Sequence, residues 1–106
     1  MVDDPDPYGQ PELASRRPTR RGWLVEGSVQ GVGFRGSTVG KARQLELSGL
    51  VFNRPDGAVE VHARGPAARL DQLADWLEHG PALAEVEALH PLRPRADLPE
   101  SFDILM

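Results

Sequence analysis

The chain contains no cysteine. That excludes disulfides, a thiolate nucleophile, iron–sulfur ligation and cysteine-based zinc sites. A small fold without disulfides also favours a reducing compartment. Lysine is nearly absent: Lys41 is the single one. Aromatic residues are few, two Trp, one Tyr and three Phe. The formal net charge is -4 at pH 7, so no broad cationic surface for a nucleic acid is expected. No apolar run approaches membrane-spanning length. The opening M-V-D-D-P-D-P has neither the basic nor the apolar part of a secretory signal. A cytoplasmic, monomeric protein is the expectation, with no membrane and no nucleic-acid partner.

What is present fits one small domain. The 106 residues are close to the lower size at which a core stabilises itself. Residues 1–19 read as a flexible extension: Pro5, Pro7, Pro11 and Pro18 interrupt an acidic stretch that leads into Arg16 and Arg17. The folded domain is expected over 20–106. W-L-V-E-G-S-V at 23–29 alternates as a strand, with Trp23 and Val25 on one face. A helix is expected over 36–46, with Thr38, Val39, Ala42 and Leu45 toward the core. Strands over 48–53 and 58–64 flank the turn N-R-P-D-G, which predicts a hairpin. Within it Val59, Val61 and Ala63 face one side, and Glu60, His62 and Arg64 the other. Pro66 at the first helical position opens a second helix, with Leu70, Leu73 and Leu77 inward and Gly80-Pro81 as its stop. A strand over 83–89, a proline-rich loop over 91–99 and a last short strand, S-F-D-I-L, with Phe102 and Ile104 inward, complete the chain. The core order βαββαβ predicts an α+β, ferredoxin-like split βαβ sandwich, its antiparallel sheet covered on one face by two helices.

Between the first strand and the first helix stands Q-G-V-G-F-R-G, residues 30–36. Glycines let successive backbone amides turn inward as an anion nest. The following helix adds unpaired amide hydrogens and a favourable dipole. Arg35 adds a planar, permanently charged fork suited to phosphate oxygens. The letters also match G-x-G-x-x-G. The next strands form a hairpin instead of a βαβ crossover, and no acidic residue ends the second strand, so a dinucleotide site is disfavoured. The P-loop lysine is missing as well.

With that loop, V-Q-G-V-G-F-R at 29–35, A-R-Q-L-E-L-S-G-L-V-F-N at 42–53, the R-P-D-G turn and L-E-H-G-P-A-L-A-E-V at 77–86, the chain resembles the acylphosphatase family over about residues 22–105. The resemblance implies hydrolysis of a small acyl phosphate to a carboxylate and inorganic phosphate, without metal or cofactor. It implies that the amides of Gln30, Gly31, Val32, Gly33, Phe34 and Arg35, with the Arg35 side chain, hold the phosphate. It implies that Asn53 orients the attacking water. Neither Arg35 nor Asn53 is a strong base, which suits a substrate whose carboxylate leaves readily.

Three positions depart from the family pattern. Gly36 stands where a bulky residue is usual, Glu46 where glycine is usual, and Leu50 where tryptophan or a similar group is usual. If the helix end needs a left-handed residue, Glu46 is strained there. Two rival functions share the scaffold. A non-catalytic phosphate-binding domain would keep the loop but misplace the water. An RNA-binding module would need sheet aromatics that are scarce here. His62, His79 and His90 lack metal-ligand spacing, and surface or capping roles are expected for them. Glu26 and Glu60 are expected on solvent-facing strand positions. Trp23, Trp76 and Phe34 are expected to pack.

Overall fold

A computed structural model describes residues 18–105. The division at residue 19 between extension and domain falls at the edge of this span, and residues 1–17 lie outside it. Seven elements follow in order: β1 Pro18–Ser28, α1 Phe34–Gln44, β2 Ser48–Asn53, β3 Val59–Pro66, α2 Ala67–Leu77, β4 Glu85–Leu92 and β5 Phe102–Ile104. The sheet order is β4-β1-β3-β2-β5. The first four are antiparallel neighbours, as the split βαβ pattern requires. β5 adds to the edge of β2 in parallel, with Gly49 opposite Phe102 and Val51 opposite Ile104. The sheet is therefore mixed. β4 and β5 occupy opposite edges, so the chain between them must cross the whole sheet. β4 runs against β1 and β5 runs with it, so the connection returns the chain antiparallel to β4 and alongside β2 in the same direction.

Both helices pack on the sheet face that carries the odd-numbered residues of β1, β2 and β3. Trp23, Val25, Val51, Val59, Val61 and Ala63 are buried there. α2 contributes Leu70, Leu73 and Leu77, all fully buried. Each such leucine contributes roughly 1.5–3 kcal/mol of apolar burial. α1 is more polar and inserts Phe34, Thr38 and Ala42. Thr38 enters the core because its hydroxyl donates to the Phe34 carbonyl one turn earlier, at 2.8 Å. Phe34 packs against Trp76 with ring centroids 5.8 Å apart. The anchoring role expected for these aromatics holds.

Several boundaries shift for identifiable reasons. β4 runs through Pro91, which was expected in a loop; β4 is an edge strand, where a missing amide hydrogen breaks no ladder bond. Pro66 is the N-cap of α2, not its first helical residue, with φ -61° and ψ 141°. His62 is buried, contrary to the surface role expected for it. Its cross-strand neighbour Gly22 leaves room for the ring, and the 93–101 crossover covers it: the Arg95 amide donates to His62 Nδ1 at 3.2 Å. Because Nδ1 accepts, Nε2 carries the proton and donates to Glu60 Oε2 at 2.6 Å. Glu60 is thereby half-buried, whereas Glu26 is exposed beside His90 at 2.9 Å. Ile104, expected inward with Phe102, is partly exposed.

α1 ends in a Schellman motif. The Leu47 amide donates to the Ala42 carbonyl and the Glu46 amide to the Arg43 carbonyl. The residue after the C-cap must then be left-handed, and Glu46 has φ 59°. The strain anticipated at this departure from the family pattern is present.

Candidate active site

The helix begins two residues earlier than expected, at Phe34, and this places Arg35 in its first turn. Gly33 is the N-cap, in the left-handed region with φ 78°, and Gly31 has the same φ. Space is not the reason for glycine here, since a Cβ on either would meet nothing within 4 Å. The reason is the backbone conformation, which L-residues rarely adopt. The Ser37 amide makes the first intrahelical bond, to the Gly33 carbonyl. The amides of Phe34, Arg35 and Gly36 therefore precede the helical ladder. No side chain caps them, and the first turn carries no acidic residue. This helix start presents amide hydrogens and positive potential to whatever lies beyond it.

Asn53 reaches the same place from the sheet. Period-two alternation puts it on the helix-bearing face with Val51, two residues further along β2. It joins Arg35, Gly31, Gly33, Phe34, Gly36, Val29 and Ile104 around a concavity of about 120 Å³. Asn53 Oδ1 is buried and has no hydrogen-bond partner among the described residues. Arg35 makes no ion pair or hydrogen bond with another described side chain. The loop, Arg35 and Asn53, singled out separately in the sequence, thus meet at one small, cationic hollow.

Two of the expected phosphate-loop residues stand outside that lining. Val32 packs against the core. Gln30 turns its carboxamide into the β2–β3 turn, donating to the carbonyls of Arg54 at 2.8 Å and Ala58 at 2.9 Å. Ile104 was missed as a lining residue. Its register beside Val51, toward the Asn53 end of β2, depends on the parallel addition of β5, which has no local sequence signal.

The turn beyond Asn53 is tightly knit. The Ala58 amide donates to Asp56, as does the Arg54 guanidinium, and these bonds hold the Asp56 carboxyl below its ordinary pKa of 3.8. Arg54 also donates to Glu60 at 3.2 Å, joining the turn to the buried His62. A larger hollow, about 400 Å³, borders this turn, lined by Glu26, Asp56 and Glu87 with Gly27, Gly57 and Ala58. Three carboxylates repel an anion, so the smaller cationic hollow is the candidate site. Among the described residues, no three His, Asp or Glu converge as metal ligands. No described helix is long and apolar enough to cross a membrane.

Comparison with known proteins identifies the family and the fold. The acylphosphatase family model matches residues 22–104. The acylphosphatase of Alkalilimnicola ehrlichii is 48% identical over 85 residues, which are 80% of this chain and 96% of that one. The acylphosphatase structure from Coxiella burnetii superposes with a TM-score of 0.77 at 34% identity, covering 83% of this chain and 93% of that one. The Bacillus subtilis acylphosphatase gives a TM-score of 0.73 at 30% identity, over 85% of this chain and all of that one. On its sequence, its fold and the relatives it matches along nearly all of the described span, this chain is an enzyme belonging to the acylphosphatase family.

Proposed function

We propose that the protein hydrolyses small acyl phosphates by direct in-line attack of water on phosphorus. The water oxygen forms the new P–O bond, the bond from phosphorus to the acyl oxygen breaks, and the carboxylate leaves with the bonding pair. The water's proton passes to a phosphate oxygen, giving a carboxylate and inorganic phosphate. The loop amides and the Arg35 guanidinium hold the equatorial oxygens, where charge is concentrated during transfer. Asn53 Oδ1 accepts a hydrogen bond from the attacking water and fixes its line of approach. The observation that carries this reading is the convergence at one hollow of a helix start without a described capping side chain, Arg35, and a buried amide oxygen lacking a partner among the described residues.

No described residue lining the hollow is a carboxylic acid or a histidine. The proposal therefore assigns catalysis to positioning and charge stabilisation. It includes no metal or cofactor, a monomer as the working unit, and the cytoplasm as the compartment.

Phosphate release from acetyl phosphate and benzoyl phosphate, with EDTA present, tests the proposal in wild type, R35A and N53A. Wild type is expected to be active. R35A should lose about 10²–10³-fold in kcat/KM, the scale of removing one preorganised charge-stabilising donor. N53A should lose kcat while retaining affinity for inorganic phosphate. A folded wild-type protein that binds phosphate without hydrolysing either substrate would move the assignment to a phosphate-binding domain. The exposed Gly36, with open space where a side chain would be, is the feature that favours that alternative.

A further inference from the structure

Gln30 opens the anion loop, yet its side chain points away from the hollow. Both carboxamide bonds go to the turn that follows Asn53, and the two carbonyls it reaches are those that close the turn. The Arg54 amide donates to the Ala58 carbonyl at 2.8 Å, and the Gly57 amide donates to the Arg54 carbonyl at 3.1 Å. Gln30 adds a second donor to each, at 2.8 and 2.9 Å. The contact spans 24 and 28 residues of chain. On its other side the turn is held by the Arg54 guanidinium, which reaches Glu60, which in turn accepts from the buried His62. The turn is therefore braced from outside by a charged network and tied inward to the loop by one neutral side chain.

We infer that Gln30 is a positioning residue, setting the separation between the phosphate-holding loop and the Asn53 amide oxygen that orients water. The inference rests on the proposed function, since it assigns Gln30 an effect that passes through Asn53. Its physical basis is geometric. Asn53 ends β2 and adjoins Arg54, so a shift of the Arg54 carbonyl is a shift of the Asn53 backbone. The loop amides belong to a different segment, built on the left-handed Gly31 and Gly33 and the start of α1. Loosening the Gln30 bonds should leave that segment able to hold phosphate while the water site drifts. Misplacement on the scale of 1 Å costs up to about 10²-fold in rate.

The test is a double-mutant cycle on hydrolysis of benzoyl phosphate, using Q30M, N53A and the double variant. Methionine keeps the length of the side chain and removes both donors. Q30M is expected to lower kcat by about 10- to 100-fold, with the inhibition constant of inorganic phosphate changed less than about twofold. In the N53A background the same substitution should cost less than about twofold in kcat, because residues acting as a unit are non-additive. Full additivity, or a loss of phosphate affinity parallel to the loss of kcat, would overturn the inference and make Gln30 a part of the phosphate cradle. Should Q30M fail to fold, Q30N carries the same cycle, since it keeps the donors but stops one methylene short. An inactive wild type would defeat the proposed function itself. An active wild type with an impaired N53A and an additive Q30M would defeat the role of Gln30 alone.

Discussion

Glu46 is a residue placed where its backbone does not suit it. It sits at the left-handed position of the Schellman motif closing α1, with φ 59°, and no other described non-glycine residue has positive φ. That conformation costs an L-residue roughly 1–2 kcal/mol. Its carboxylate pairs with Arg69, but at 75% side-chain exposure the pair is worth at most about 1 kcal/mol. Comparing E46G with E46A removes the ion pair from both and leaves the backbone alone. Glycine relieves the strain but gives back roughly 0.4–1 kcal/mol through its freer unfolded chain. The balance favours E46G over E46A by about 0.5–1 kcal/mol. For a domain of this size that is about 2–8 °C in Tm. Wild type should fall between them, since it is strained but keeps Arg69. Thermal unfolding followed by circular dichroism measures the order directly. Activity should stay within about twofold in both variants, because α1 spans 11 residues, about 15 Å, between Glu46 and the site. If E46A proves as stable as E46G, the left-handed backbone at this helix end is not a cost, and the reasoning fails.

Gly27 lies at the bulge between β1 and β4 with φ 134°, and a Cβ there would stand 2.1 Å from the Glu85 carbonyl oxygen. G27A should lose at least about 2 kcal/mol in urea unfolding, and a loss under about 0.5 kcal/mol would refute the close approach. Asp56 has a folded-state pKa below its ordinary 3.8, first through the Ala58 amide and then through Arg54. Its contribution to stability is therefore present above 3.8 and disappears as pH falls through the depressed folded value. The stability difference between wild type and D56N should be constant from pH 7 to about 5 and shrink in stronger acid. A difference that instead grows on acidification would contradict the hydrogen bonds assigned to this carboxylate.

The sequence made the order of elements legible because the local signals agree. Alternation in 23–29 and 58–64, the D-G turn, the leucine stripe of α2 and the G-x-G loop each point to the same topology. Arg35 could be singled out because it follows a phosphate-type loop, whereas Asn53 was legible only through the resemblance to the acylphosphatase family. What escaped depends on pairing between distant segments. Pro91 looked like a loop residue until β4 was known to be an edge strand. His62 looked exposed because nothing local reveals that the 93–101 crossover lies over it. Glu60 seemed a solvent-facing carboxylate for the same reason. Ile104 follows Phe102 on the same strand face, but the end of β5 coincides with the mouth of the site, so its side chain stays partly open. The Gln30 side chain was unreadable in another way: the motif marks its backbone, and nothing in it says where a carboxamide would find two carbonyls.

The charges around the site bear on which leaving groups the proposed chemistry can serve. The chain is acidic overall, yet among the described residues no carboxylate lines the hollow that holds Arg35 and Asn53. Acidic side chains gather instead around the larger hollow at the β2–β3 turn, with Asp56 committed to Arg54 and the Ala58 amide. The separation favours a phosphoryl group in the smaller hollow, because a nearby carboxylate would both repel it and compete for Arg35. Among the described lining residues there is also no carboxylic acid or imidazole to protonate the departing oxygen. An alkoxide leaving from a phosphate monoester needs that proton, whereas a carboxylate leaves as a stable anion without one. Under the proposed function, the residue inventory that suits the hollow to a phosphoryl group also restricts it to activated anhydrides. Selectivity would then arise from what the site omits as much as from what the proposed function assigns to Arg35 and the loop amides.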